Sequence, residues 1–187
     1  MIHYLRIPGY FGGDQRALYD DLLQWLPDGA RFVEIGNFKG RSLCYFLQAM
    51  QASGKRFEVH AVDHFRGSAE HQELLEGADM YPEFMRNMER AGVADLIAGV
   101  HRVPSLEAVS DFQDGSCDAI FVDGSHDYAS VRDDIAAWRP KLVDRGLLAG
   151  DDWALGWPGI VAAVHLGLKN YVISGRIWRW RNLPGNQ

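Results

Sequence analysis

Apolar positions in this chain come in short blocks that alternate between a period of about 3.6 residues and near-continuous runs, the marks of helices and buried strands. After Gly12-Gly13, Asp14 is a candidate helix cap, and Leu18, Leu22, Trp25 and Leu26 recur at helical spacing until Pro27-Asp28-Gly29 stops them. Phe32-Val33-Glu34-Ile35-Gly36 is a strand-like run closing on glycine, and from Gly40 the residues Leu43, Phe46, Leu47 and Met50 resume the helical period. The alternation continues with strands over 57–63, 96–103, 118–123 and 146–150, and with helices over 81–90, 105–109 and 128–138. Strands separated by helices cannot be joined by tight hairpins, so their neighbours are parallel with right-handed crossovers. The expected fold is a doubly wound, mostly parallel α/β sheet. Residues 171–174 and 177–180 flank Gly175 and predict a closing antiparallel hairpin. One domain is expected over 1–187: a helical segment (1–29), a core (30–155), and a C-terminal helix and hairpin (156–187).

Composition narrows the function. With 187 residues and 47% hydrophobic content the chain can bury a full core. A net charge of −6 without runs of like charge gives no encouragement to nucleic acid or anionic membranes as partners. Cys44 and Cys117 are far apart and lack metal or redox spacing, so buried thiols in a reducing compartment are expected. The first residues lack a leader-like apolar stretch, no apolar run reaches about 18 residues, and a cytoplasmic location is the expectation.

Ligands of open α/β sheets bind beyond the carboxyl ends of the strands, where the chain order reverses. The residues there are Glu34-Ile35-Gly36-Asn37-Phe38-Lys39-Gly40-Arg41-Ser42. The GxxxG spacing of Gly36 and Gly40 allows close approach of a ligand, but it matches neither GxGxxG nor a phosphate loop. Glu34 would repel a pyrophosphate and could anchor a cationic amino-acid group. Asp63, at the end of the second strand, can accept both hydroxyls of a ribose. Two acids and a glycine loop around an adenosyl ligand result.

This stretch resembles the class I S-adenosylmethionine-dependent methyltransferases, and the resemblance extends over residues 30–155. It runs through Asp63-His64-Phe65-Arg66-Gly67-Ser68, residues 84–93, Val103-Pro104-Ser105-Leu106-Glu107, and Asp118-Ala119-Ile120-Phe121-Val122-Asp123-Gly124-Ser125-His126-Asp127-Tyr128. The subgroup most alike is the small bacterial enzymes related to macrocin-type, metal-dependent sugar O-methyltransferases. The resemblance implies a Rossmann-like core and assigns Glu34, Gly36, Asn37, Gly40, Ser42, Asp63, His64, Ser105 and Asp123 to cofactor contacts, with Ser105 near the adenine.

Asp123 closes one strand and Asp151-Asp152 the next, so adjacent parallel strands would bring three carboxylates together. Clustered acids repel one another, and a hard cation such as Mg²⁺ is the natural compensation. In catechol-type and macrocin-type methyltransferases acids at such positions hold a divalent ion, and the resemblance implies Asp123, Asp151 and Asp152 as metal ligands. His126, three residues after Asp123, stands where a base could take a hydroxyl proton near neutral pH. The same resemblance makes it the catalytic base. The expected reaction is metal-assisted O-methylation of a small hydroxylated acceptor, a sugar or natural product. A metal-independent transfer to nitrogen or an acidic oxygen, and a non-catalytic adenosyl-binding module, are the alternatives; a nicotinamide oxidoreductase fits the loop poorly.

Larger sugar methyltransferases carry an added N-terminal domain for assembly and acceptor contacts, whereas here about 30 residues precede the first strand. The acceptor is therefore expected to meet local elements or a partner subunit in a homo-oligomer. The local candidates are Tyr10-Phe11-Gly12-Gly13, the 66–81 insertion with His64 and His71, and the 153–158 loop, where Trp153 and Trp157 either stack on the acceptor or pack internally. Trp178 and Trp180 likewise serve either a subunit interface or the core.

Overall fold

The computed structural model describes residues 1–67 and 78–186. His71 and most of the 66–81 insertion lie outside the described residues.

Helix α1 (Gly13–Trp25) leads to β1 (Arg31–Ile35), α2 (Arg41–Ser53) and β2 (Glu58–Val62). Then follow α3 (Tyr81–Ala91), β3 (Ile97–His101), the single turn α4 (Ser105–Ala108), β4 (Cys117–Val122) and α5 (Tyr128–Trp138). The chain ends through β5 (Leu142–Gly150), α6 (Pro158–Gly167), β6 (Val172–Ser174) and β7 (Ile177–Arg181). The strands form one seven-stranded sheet in the order β3-β2-β1-β4-β5-β7-β6. The first five are parallel; β7 runs antiparallel to β5 and pairs with β6 as the expected hairpin. Order reverses between β1 and β4, so a crevice opens beyond their carboxyl ends.

Successive strand residues face opposite layers. Phe32 and Phe121 pack with Leu18, Tyr19, Leu22 and Phe46 under α1 and α2. Val33 and Ile120 pack with Val131, Ile135 and Trp138 of α5 and with Ile160 and Val164 of α6 on the other face. Trp178 and Trp180 belong to this second layer at 1% exposure each, which gives them to the core.

Two boundaries differ from expectation. Helix α1 starts at Gly13 with Gly12 as its cap, so Asp14 lies in the first turn, and its carboxylate accepts the Arg176 N–H at 3.0 Å instead of capping. Strand β5 begins at Leu142, four residues before Gly146, because the chain passes through a left-handed residue, Arg145, and a register irregularity opposite Cys117 to Ala119 without leaving the sheet. No helix among the described residues is long and apolar enough to cross a membrane.

Candidate active site

The crevice is a cavity of about 1240 Å³. Its floor is the turn after β1. Gly36 adopts φ +87°, and a Cβ there would overlap the Asp123 carbonyl and stand 2.8 Å from Gly124 Cα. The ends of β1, β2 and β4 are laced by Gly36 N–H to the Val62 carbonyl (2.9 Å) and Asp123 N–H to the Ile35 carbonyl (2.8 Å). Asp63 clamps the turn: its Oδ2 accepts the backbone N–H groups of Asn37 (2.7 Å) and Phe38 (2.8 Å), and its Oδ1 that of Phe65 (2.6 Å). Gly40 caps α2 in the left-handed region at φ +86°, where a Cβ would press on Phe84 and Met88 of α3.

Glu34 sits beneath this floor. Fully buried, its carboxylate accepts from Tyr19 Oη (2.6 Å), Ser42 Oγ (2.7 Å) and Asn37 Nδ2 (3.0 Å). Burial pushes the Glu34 carboxyl up to about 7 against the pull of these three donors. Of the residues the resemblance assigns to the cofactor, Gly36, Asn37, Ser42, Asp63, His64, Ser105 and Asp123 line the cavity. Glu34 and Gly40 stand behind that lining and shape it through Asn37, Ser42 and the start of α2.

On the wall formed by α4 and α5, the Ser105 hydroxyl donates to Asp134. Asp134 is buried, and burial pushes its carboxyl up to about 6. Sequence reasoning passed over it, although an acid three residues from Val131 and four from Trp138 falls on the apolar stripe of α5 and is a signal in itself.

The other end of the cavity is acidic. Val122 pairs with Gly150 in the sheet, so the residues that follow, Asp123 and Asp151, leave neighbouring strands side by side. Burial, then the Asp151 charge, pushes the Asp123 carboxyl well up; burial pushes that of Asp151 up to about 6. Gln15 of α1, buried, faces this end of the cavity and donates from Nε2 to Tyr19 Oη at 3.3 Å. Asp152, with φ +63°, turns elsewhere: it ion-pairs with Arg176 and meets Nε2 of His126 at 2.9 Å. Asp123 and Asp151 thus lie side by side at adjoining strand ends, whereas Asp152 points to Arg176 and His126. Among the described residues no group of three His, Cys, Asp or Glu side chains is arranged to hold a metal ion.

His126 is stacked on Trp157, centroids 4.0 Å apart and planes 19° from parallel, while Trp153 packs on Tyr171 at 5.3 Å. Both tryptophans therefore make internal ring contacts, and Trp157 still lines the cavity. Besides Asp134, the residues that sequence reasoning missed are Asp14, Gln15 and Tyr19 of α1 and Arg176 of the hairpin. Gln15 and Tyr19 fall on the same stripe as Leu18 and Leu22, and a glutamine on an apolar stripe was the available signal. Nothing local marks Arg176.

A methyltransferase domain model matches residues 33–153. An uncharacterized protein, y4gI, from Sinorhizobium fredii is 34% identical over 164 residues, 81% of this chain and 17% of that protein, so the chain spans about a sixth of that relative. The solved structure of the O-methyltransferase NovP superposes with a TM-score of 0.62 at 17% identity, over 91% of this chain and 78% of that one. An S-adenosylmethionine-dependent O-methyltransferase from Thermotoga maritima gives 0.63 at 12% identity, over 98% and 69%. These two likenesses show a shared fold. The family match spans β1 to the end of β5, the segment that builds the glycine turn, the Asp63 clamp and the acidic strand ends, and it makes this chain a member of the class I S-adenosylmethionine-dependent methyltransferase family.

Proposed function

We propose that the protein transfers the methyl group of S-adenosylmethionine to a hydroxyl of a small acceptor, a sugar or natural product. The observation that carries this reading is the His126–Asp152 pair, held at 2.9 Å on the same cavity as the glycine turn and Asp63. Methyl transfer is an in-line displacement: the acceptor oxygen gains the methyl carbon, the sulfonium leaves as the neutral thioether of S-adenosylhomocysteine, and the hydroxyl proton must go elsewhere. Because Nε2 faces Asp152, His126 takes that proton on Nδ1, a buried atom that the acceptor hydroxyl must reach. Asp152, accepting from Nε2, stabilises the imidazolium so formed, and the Trp157 face fixes the plane of the ring. Asp63 holds the turn on which the adenosyl group rests, with Ser105 on the wall assigned to the adenine.

Asp123 and Asp151 are carboxylates of the donor type a hard divalent ion takes, but among the described residues no group of three metal-ligating side chains is arranged to hold one. Such an ion, when bound, would lower the pKa of the acceptor hydroxyl. The pairing of Asp152 with Arg176 favours a second reading, metal-free transfer. The test is transfer of labelled methyl to a panel of hydroxylated sugars and aglycones, with and without chelator, by wild type and His126→Gln. Expected is a rate lower by about 10²-fold or more in the variant, with cofactor binding kept. Loss of activity with chelator selects metal assistance, and full activity selects the metal-free reading. Transfer to nitrogen acceptors alone, or an unimpaired His126→Gln, sinks the hydroxyl-and-base mechanism.

A further inference from the structure

Asp134 is a buried acid that the methyl-transfer chemistry does not use. Ala129, Ser130, Asp133 and Asp134 share one face of α5 and line the cavity, while Val131, Ile135 and Trp138 turn to the core. Asp134 stands where the two faces meet, 6% exposed and still open to the cavity. Its Oδ1 accepts from the Ser105 hydroxyl, and among the described residues no second donor and no lysine or arginine meets the carboxylate. Glu34, the buried acid beneath the glycine turn, has three donors. A carboxylate offers about four acceptor sites, so Asp134, ionised at neutral pH with its carboxyl at about 6, is buried short of donors. Asp127 and Asp133 add negative charge nearby, and Pro104, Leu106 and Ala129 make the adjoining lining apolar. Such a wall suits a flat apolar ring with a hydrogen-bond donor on its edge. It lies about two turns of α5 beyond Asp127, the neighbour of His126, and so at a distance from the base.

We propose that Asp134 is a specificity residue for the cofactor: oriented by Ser105, its other oxygen accepts the exocyclic amine of the adenine, so that the crevice takes a 6-aminopurine and rejects a 6-oxopurine. This rests on the S-adenosylmethionine reading above and deepens it. The amine donates to the carboxylate, whereas a 6-oxo group brings a second acceptor against it and leaves both without a donor in a buried place. Asparagine has the same shape and reverses the logic. Its carbonyl can keep the Ser105 bond while its amide N–H donates to a 6-oxo group.

The probes are S-adenosylhomocysteine and S-inosylhomocysteine, in which an oxo group replaces the amine, titrated calorimetrically into wild type and Asp134→Asn. Wild type is expected to bind the adenosyl ligand about tenfold or more tightly than the inosyl one. Asp134→Asn is expected to bring the two within about twofold or to reverse their order. Circular dichroism melts confirm folding, and Ser105→Ala, which removes the orienting donor, replaces the asparagine variant if that one does not fold; it is expected to cut the preference by about threefold or more. A purely structural role would weaken both ligands by the same factor and keep the wild-type preference, and that result overturns the inference. Equal binding of both ligands by wild type also overturns it and leaves the S-adenosylmethionine reading standing. Absence of binding of either ligand by folded wild type overturns that reading and the inference with it.

Discussion

Gly36→Ala separates two costs that the turn after β1 imposes. The first is conformational: at φ +87° an L residue pays about 1–2 kcal/mol for the left-handed region. The second is steric. The new Cβ would overlap the carbonyl carbon and oxygen of Asp123 and crowd Gly124 Cα, which are backbone atoms of a strand end tied to Ile35 by a 2.8 Å hydrogen bond. Nothing there is a flexible side-chain tip, so the strands must part, at about 1–3 kcal/mol as for overpacking elsewhere. The sum is about 2–5 kcal/mol, and at about 2–4 °C per kcal/mol for a chain of this size Tm falls by about 4–20 °C. Gly29→Ala is the control: its φ is +81°, but a Cβ there meets nothing within 4 Å, so it incurs the first cost only. Urea titrations of both variants, with S-adenosylhomocysteine calorimetry on the folded fraction, measure the difference. Equal destabilisation by the two substitutions would refute the claim that the ends of β1 and β4 touch at Gly36.

Glu34 makes stability depend on pH. Its carboxyl, about 7 when folded and near the ordinary 4.5 when unfolded, keeps a proton in the folded state that the unfolded chain releases. Its contribution is fully present below about pH 4.5 and is lost as pH rises through 7, by up to about 3 kcal/mol, and urea titrations of Glu34→Gln should show that part of the slope removed. Cys44 and Cys117 are buried, and burial pushes their thiols up to about 12 and about 11, so a disulfide-exchange reagent at pH 8 should label neither in the native protein and both in guanidinium. Trp157→Ala removes the face against which His126 is stacked and should lower kcat by about tenfold while leaving cofactor affinity within twofold; a fall in affinity alone would show that the ring serves binding.

The parallel core was legible because each strand is a short apolar run and each helix repeats its apolar stripe, so the two periods mark the crossovers. Phe32 and Val33, or Ile120 and Phe121, read as one continuous run although they face different layers; both faces are covered by helices, which is why the runs do not alternate. The start of β5 was misplaced because Asp144-Arg145-Gly146 has turn composition yet stays within the sheet. At the site, residues at strand ends could be found because register fixes them: Gly36, Asp63, Asp123 and Asp151 sit one step beyond paired strand residues. What register does not fix was missed. Arg176 arrives from a hairpin whose pairing with β5 places its tip over Asp152, and Gln15 arrives on a helix whose angle across the sheet depends on packing. The three-carboxylate centre was read from proximity alone, whereas the direction taken by Asp152 depends on that distant arginine.

The measurement that tests the account most directly is titration calorimetry of S-adenosylhomocysteine against wild type and Asp63→Ala. The account predicts one-to-one binding by wild type, weaker by about tenfold or more in the variant, because Asp63 holds the turn after β1 through the Asn37 and Phe38 amides. Absence of binding by folded wild type, or equal binding by both proteins, would contradict it.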